Sequence, residues 1–159
     1  MRTRLDETHP GYRALMQLLR TADTVWNASR VFFERWDLSP SQFNVLNLLH
    51  YNPAGLSQTD LSRQLIMHRS NVTGLVDRLE KRGLVERKNA AADRRAYSVV
   101  LTDAGTALLR DILPGYYRGA DEVWAHLSAR RAAELVADLR QVAYNARRTA
   151  GSEIARSES

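Results

Sequence analysis

The 159-residue chain contains no cysteine. Disulfide bonds and zinc sites built from thiolates are therefore excluded. Regulation by thiol oxidation is excluded as well, because no thiol is present to form a sulfenic acid or a disulfide.

Long apolar runs are absent too. No segment approaches the roughly 18 consecutive apolar residues that a membrane-spanning helix requires. The N-terminal stretch MRTRLDETHPGY lacks the apolar core of a secretory signal peptide. We therefore expect a soluble cytoplasmic protein.

The chain also has little that resembles catalytic machinery. None of its four histidines, His9, His50, His68 and His126, has a partner at metal-ligand spacing, and no glycine-rich phosphate loop is present. His68 stands where a helix is predicted to begin, which favours a capping or phosphate-binding role. We expect neither an enzyme nor a protein with a metal or cofactor.

The segment 56–101 carries most of the information that is present. Ser57 and Asp60 have the spacing of a capping box at the start of a short helix. A second helix is predicted to begin near His68 or Arg69 and to end at Gly83. Its apolar positions follow the i, i+3, i+4, i+7 rule of an amphipathic helix; they are Val72, Leu75, Val76 and Leu79.

The opposite face of this second helix is polar. Such a face suits a helix that meets base edges and phosphates, although an ordinary solvated face has a similar composition. The outward residues are predicted to be Ser70, Thr73, Gly74, Asp77, Arg78 and Lys81, with Arg69 and Asn71 on the flanks.

Two short strands are predicted to follow, over residues 84–88 and 97–101. The connection between them contains Asp93, Arg94 and Arg95. An arginine at a hairpin tip can enter the narrow minor groove of DNA, and an aspartate can hold it by a bidentate pair. A solvated charged loop is the alternative, but the neighbouring helix-turn-helix favours DNA binding.

The charge distribution agrees with a DNA-binding surface. The net charge of the chain is +5. Between Ser57 and Arg95 there are nine Lys or Arg and five Asp or Glu, so most of the positive excess lies in a quarter of the chain. A local basic excess is typical of a protein with a polyanionic partner.

These motifs together resemble the MarR family of bacterial transcription regulators. The resemblance rests on NVTGLVDRLEKRGLVER, on Asp93-Arg94-Arg95 and on the exit VVLTDAG, and it extends over about residues 10–148. It implies a mainly α winged helix-turn-helix with a small β-wing, flanked by N- and C-terminal dimerisation helices. It further implies a homodimeric repressor or activator of a pseudo-palindromic operator.

By position, the resemblance assigns roles to individual residues. Ser57 and Gln58 match the start of a helix that contacts phosphate, and Arg95 matches the minor-groove arginine of the wing. Together with the motif analysis, it gives this set of DNA-binding candidates: Ser57, Gln58, His68, Arg69, Ser70, Asn71, Thr73, Arg78, Asp93, Arg94 and Arg95.

A single domain is predicted, with a DNA-binding lobe over 38–105, dimerisation helices over 10–36 and 106–148, and a flexible tail over 149–159. Ser39, Pro40 and Gln42 predict a capped helix at the start of the lobe. The large apolar residues Tyr12, Trp26 and Trp124 suit a symmetric dimer interface, although a monomer with a generous core is the alternative. Pro114-Gly115 predicts a kink or break, either as a functional joint or as a fixed feature.

Regulation is less readable from the residues. The family resemblance implies release from DNA by a small aromatic or phenolic acid. Candidate contacts are Trp26, Arg30, Phe33, Phe43 and His50, with Trp36 beside them, although aromatic residues at helical spacing more often form core. Two alternatives remain open: constitutive DNA binding without an effector, and a winged helix that binds another protein.

Overall fold

A computed structural model describes residues 9–65, 69–90 and 93–157 of the chain. Two compact units are present, divided between Arg110 and Asp111. The elements in chain order are α1 (Pro10–Phe33), a 3-10 helix (Glu34–Trp36), α2 (Pro40–His50), β1 (Leu56–Ser57), α3 (Gln58–Leu65), α4 (Arg69–Lys81), β2 (Val85–Ala90), β3 (Asp93–Leu101), α5 (Asp103–Trp124) and α6 (Ala129–Ser157). The predicted mainly α fold with a small sheet is confirmed.

The start of α2 follows the predicted capping box. The backbone N–H of Gln42 donates to Ser39 Oγ at 3.2 Å, and the N–H of Ser39 donates to Gln42 Oε1 at 2.8 Å. Pro40 occupies the first turn, where its missing N–H costs no hydrogen bond. These two side-chain contacts satisfy donors that a helix start otherwise leaves unpaired.

The core of the first unit lies where α1, α2, α3 and α4 meet the small sheet. Phe33 stacks on Phe43 with ring centroids 4.4 Å apart, and both side chains are buried. Val72, Val76 and Leu79 of α4 are completely buried, and Leu75 nearly so. The predicted apolar stripe of the second helix is therefore its inner face.

Three antiparallel strands form the sheet in the order β1–β3–β2. The two-residue strand β1 was not predicted; Leu56 pairs with Val99, and Ser57 with Ser98. Gly55, just before β1, has φ +87°, and a Cβ there would lie 2.8 Å from the carbonyl oxygen of Val99. The close approach of β1 to β3 therefore depends on glycine at this position.

The β2–β3 hairpin, called the wing below, is longer than the sequence suggested. Its strands extend to Ala90 and begin at Asp93, so Asp93, Arg94 and Arg95 lie in β3 and not in a loop. The register shifts between Asn89, opposite Tyr97, and Ala90, opposite Asp93. The prediction was short because it relied on β-branched and aromatic residues, which residues 89–96 lack, whereas backbone ladder bonds do not require such side chains.

The C-terminal helices correct two expectations. Pro114 lies inside α5, which continues to Trp124, so the predicted break is wrong, while a local kink remains a prediction. Residues 149–157 continue α6, although a flexible tail was expected there. This segment has no proline and extends a helix that is already nucleated, so it adds hydrogen bonds without a new nucleus, although Gly151 costs about 1 kcal/mol relative to alanine.

Within the described ranges, none of the helices combines the length and the hydropathy that crossing a bilayer would require.

Candidate nucleic-acid interface

The recognition helix α4 presents a polar face because its opposite face is buried. Helical geometry turns Asn71 and Arg78 away from the buried Val72, Val76 and Leu79, and both polar side chains are exposed. Thr73 is half-buried on the same helix. The apolar stripe therefore decides which side chains can meet another molecule.

The start of α3 is joined to this helix by a hydrogen bond. Thr73 Oγ1 donates to Gln58 Oε1 at 3.2 Å. Ser57 caps α3 by accepting from the N–H of Asp60 at 3.1 Å, and its hydroxyl donates to the Asp60 carboxylate at 2.6 Å. Ser57, Gln58 and Thr73, all predicted site residues, are therefore neighbours in the structure.

The wing is bound to the recognition helix by charge. Arg87 of β2 forms ion pairs with Asp77 and Glu80, which lie about one turn apart on α4. The backbone N–H of Arg87 also donates to Glu80 Oε1 at 3.2 Å. We call these three residues the Arg87 cluster.

The electrostatics of the cluster favour the charged guanidinium. Burial by itself would lower the pKa of Arg87, but the hydrogen bond to Asp77 and the charges of both carboxylates outweigh it, so the pKa is raised above its ordinary value. Arg87 therefore stays cationic at any physiological pH, and the cluster carries a net charge of −1.

A second arginine holds the C-terminal end of the recognition helix. The Arg82 guanidinium donates to the backbone carbonyl oxygens of Trp36, at 2.9 Å, and of Asp37. Asp37 has φ +51°, in the left-handed region that non-glycine residues rarely adopt. Arg82 therefore supports a corner whose backbone conformation is locally unfavourable.

Other predicted DNA contacts are described only in part. Arg69 and Ser70 form the first turn of α4, while Asp93, Arg94 and Arg95 begin β3. His68 lies outside the described residues. Thus the backbone is described for the first turn of α4 and for both strands of the wing.

The predicted effector residues separate into three groups. Phe33 and Phe43 are buried core. His50 is exposed and packs edge-on against Tyr51. Trp26 and Arg30 line a cleft of about 420 Å³ whose other walls are Glu34, Asp37, Leu38, Ser39, Pro40 and Gln42. The structure therefore brings together only two of the five candidates, Trp26 and Arg30, at a cavity.

Sequence reasoning missed Arg87 and Arg82 as organising residues. The sequence did contain a signal for Arg87: Asp77 and Glu80 are spaced i, i+3 on the helix that was predicted to bind DNA. Carboxylates close to phosphates need a cationic partner, so this pair indicated that one lies nearby. Within the described part of the chain, no group of three or more His, Asp or Glu is placed to bind a metal ion.

A DNA-binding helix-turn-helix with an attached β-wing defines the class of winged-helix regulators. The model of the MarR family matches residues 36–96. The regulator MhqR of Bacillus subtilis is 31% identical over 110 residues, which cover 69% of this chain and 75% of MhqR. The chain therefore belongs to the MarR family of transcriptional regulators, and its relatives are regulators and not enzymes.

Two further relatives match over a smaller share of their own length. B. subtilis YfiV, an uncharacterized transcriptional regulator, is 37% identical over 63% of this chain and 56% of YfiV. The transcriptional repressor MprA of Escherichia coli K12 is 37% identical over 46% of this chain and 42% of MprA. This chain therefore matches only about half the length of these two proteins.

Solved structures agree with the fold. The PcaV regulator of Streptomyces coelicolor, crystallised with its natural ligand, has a TM-score of 0.70 and 27% identity, covering 92% of this chain and 99% of PcaV. An S. aureus MepR–DNA complex has a TM-score of 0.75 and 21% identity, covering 84% of this chain and 95% of that chain. The winged-helix architecture is confirmed.

Proposed function

We propose that this protein is a homodimeric repressor that binds a pseudo-palindromic operator and is released by a small aromatic effector. The proposal rests on one observation: α4 has an exposed polar face, and the wing is joined to this same helix by ion pairs. Support comes from relatives, since MprA is named a repressor and the MepR structure contains DNA.

Asn71 is well suited to read a base in the major groove. Its side chain is exposed in the first turn of α4, and a side-chain amide can bind adenine N6 and N7 together. Arg78 is exposed two turns further along the helix, where a guanidinium suits a phosphate. One helix thus supplies a base-reading group and a backbone-binding group.

The wing supplies the second contact. Arg94 and Arg95 lie near the start of β3, in the stretch where the hairpin register is irregular. A bulged strand at a hairpin end re-aims its side chains, and arginine is favoured in a narrow minor groove. Base reading by α4 and groove-shape reading by the wing are therefore complementary.

A dimer is supported by the apolar surface of the terminal helices. In α1, Tyr12, Leu15, Leu19 and Trp26 recur at helical spacing and are all exposed, Leu15 at 50% and Leu19 at 52%. In the second unit, Val136, Leu139 and Val142 of α6 are exposed as well. Exposed apolar side chains that recur along one helix, as in α1, are typical of an association site.

Replacing Asn71 with alanine is expected to lower the affinity for the operator by about 1–3 kcal/mol and to leave the affinity for random DNA nearly unchanged, because a base contact is lost. The operator is first selected from fragments of the source genome. Binding is then measured by fluorescence anisotropy, with the exposed Asn27→Ala as the matched control. An equal loss on both DNAs would contradict base reading, and no binding of the wild type to any DNA would favour a protein partner.

Replacing Arg95 with alanine is expected to weaken binding and to reduce the slope of log K against log salt by about 0.9, since one phosphate-neutralising charge is lost. The slope is measured between about 50 and 200 mM salt. Arg118→Ala, which removes an exposed arginine from the second unit, is the control and should leave the slope unchanged. A slope in Arg95→Ala equal to that of the wild type would rule out the wing contact.

The double variant Leu15→Glu with Leu19→Glu is expected to dissociate the dimer, because four carboxylates would enter an apolar interface. Light scattering measures the mass. The control carries Gln17→Glu and Thr21→Glu on the opposite face of α1, where the wild-type Gln17 and Thr21 side chains are hydrogen-bonded to each other. A wild-type protein with the mass of one chain would refute the dimer directly.

The cleft at Trp26 suits a small planar effector. Among its described lining residues, Arg30 is the one cation, whereas Glu34 and Asp37 contribute two carboxylates. This balance favours a neutral phenolic ring, or a monoanion that pairs with Arg30, over a dianion. Such a ligand would lower operator affinity if it binds better to a form of the dimer whose helix spacing does not fit DNA.

Benzoate and phenol are therefore expected to bind and to weaken operator binding about tenfold, a typical coupling between sites, whereas phthalate is not. Calorimetry and anisotropy measure the two effects. Arg30→Met should abolish the effect of benzoate on operator binding and keep the effect of phenol. The control is Arg35→Met, which removes an arginine stacked on Trp36 outside the cleft and should change neither effect. Stronger binding of phthalate than of benzoate would overturn the charge argument.

A further inference from the structure

We propose that Arg87 is a positioning residue: it fixes the angle between the wing and the recognition helix, and so determines operator specificity without touching DNA. This inference rests on the proposed DNA-binding function. Arg87 belongs neither to the apolar stripe of α4 nor to the Asp93-Arg94-Arg95 motif, so neither pattern in the sequence identifies it.

The geometry of the Arg87 cluster is that of a cross-link. Two guanidinium nitrogens of Arg87 bind two different carboxylates, those of Asp77 and Glu80, on a different element. The Arg87 side chain is only 23% exposed, so its ion pairs are better shielded from water than surface pairs. Both partners belong to α4, so the cross-link joins β2 rigidly to one helix.

The backbone strengthens the same link. β2 is an edge strand, since β3 lies between β1 and β2. An edge strand directs alternate N–H groups away from the sheet, and that of Arg87 donates to Glu80 Oε1. Glu80 therefore binds both the side chain and the main chain of one wing residue.

The cross-link acts where the apolar core no longer reaches. At the base of the wing, Leu84, Val85, Val99 and Val100 are buried and hold the strands in place. Beyond Arg87, the Lys88 side chain is exposed and forms an ion pair with Glu86 of its own strand, which does not link the wing to α4. Without the cluster, the distal half of the hairpin would be free to pivot about its buried base.

Such pivoting would affect specificity more than affinity. Random DNA is bound mainly through phosphates, which a mobile wing can still reach. The operator requires that base contacts from α4 and groove contacts from the wing occur together, in one fixed relation. We therefore expect loss of the cluster to lower the ratio of operator to random affinity.

Lysine at position 87 provides the sharpest test. Arg87→Lys keeps the positive charge, but a lysine cannot bind two carboxylates with a planar fork. We expect the operator-to-random ratio to fall about tenfold, in the range of one lost base contact, with the salt slope unchanged. Arg130→Lys, in the exposed pair with Glu134 on α6, is the matched control and should keep the ratio.

A second variant separates position from charge. Asp77→Ala with Glu80→Ala removes two negative charges and should raise affinity for all DNA, yet it breaks the same cross-link. We expect the operator-to-random ratio to fall in this variant as well. If the ratio falls in Arg87→Lys but is unchanged in the Asp77→Ala, Glu80→Ala variant, Arg87 does not act through its two carboxylates and the inference is wrong. A reduced salt slope in Arg87→Lys would show that Arg87 contacts phosphate, which also contradicts it.

Hydrogen exchange tests the cross-link without DNA. The backbone amide of residue 87 should exchange faster in Asp77→Ala with Glu80→Ala than in the wild type, because its acceptor is lost. Unchanged exchange would overturn the cross-link itself. If the wild-type protein binds the operator no better than random DNA, the proposed function is refuted. If the wild type prefers the operator and Arg87→Lys has the same operator-to-random ratio, only this inference is refuted.

Discussion

The orientation of the recognition helix depends on the burial of one apolar stripe. Val72, Val76 and Leu79 are fully removed from solvent, and each such side chain contributes roughly 1.5–3 kcal/mol relative to exposure. An exposed ion pair on the surface of α4 contributes less, only about 0–1 kcal/mol. The stripe thus determines that Asn71 and Arg78 face outward and that the start of α4 meets Gln58 of α3.

The wing depends on a different kind of interaction. Its base is anchored by buried Val85 and Val99, but its direction is controlled by the Arg87 cluster. A hydrophobic anchor is non-directional, whereas a guanidinium that binds two carboxylates defines an angle. The first unit therefore combines an apolar core that holds the elements together with polar cross-links, Arg87 and Arg82, that orient them.

Much of this structure follows from local sequence rules. The capping box at Ser39, the helix stop at Gly83 with φ +67° and the stripe of α4 all depend on residues within a few positions of one another. Interactions between distant segments were not predictable in this way. Strand β1 exists only because Leu56 meets Val99, 43 positions later in the chain, and no pattern within a two-residue segment indicates that pairing.

The candidate site also has a part that local sequence predicts and a part that depends on distant segments. The polar face of α4 was predicted because helical periodicity dictates it, and Arg87 was missed because its role depends on where β2 passes α4. The effector candidates were chosen because the family resemblance implies a cleft near the first two helices, with plain core as the alternative for the aromatic residues. Burial then separates Phe33 and Phe43, which form core, from Trp26 at the cleft, and burial is a property of the packed fold and not of residue type.

We propose that the recognition helix and the wing bind DNA as one rigid unit, twice in a symmetric dimer. Chemical footprinting of the wild-type protein on its selected operator tests this most directly. We expect two equivalent half-sites about one helical turn apart, each with protected purine N7 groups in the major groove and adjoining protection in the minor groove. Protection of one groove only, or a single footprint without twofold repetition, would contradict it.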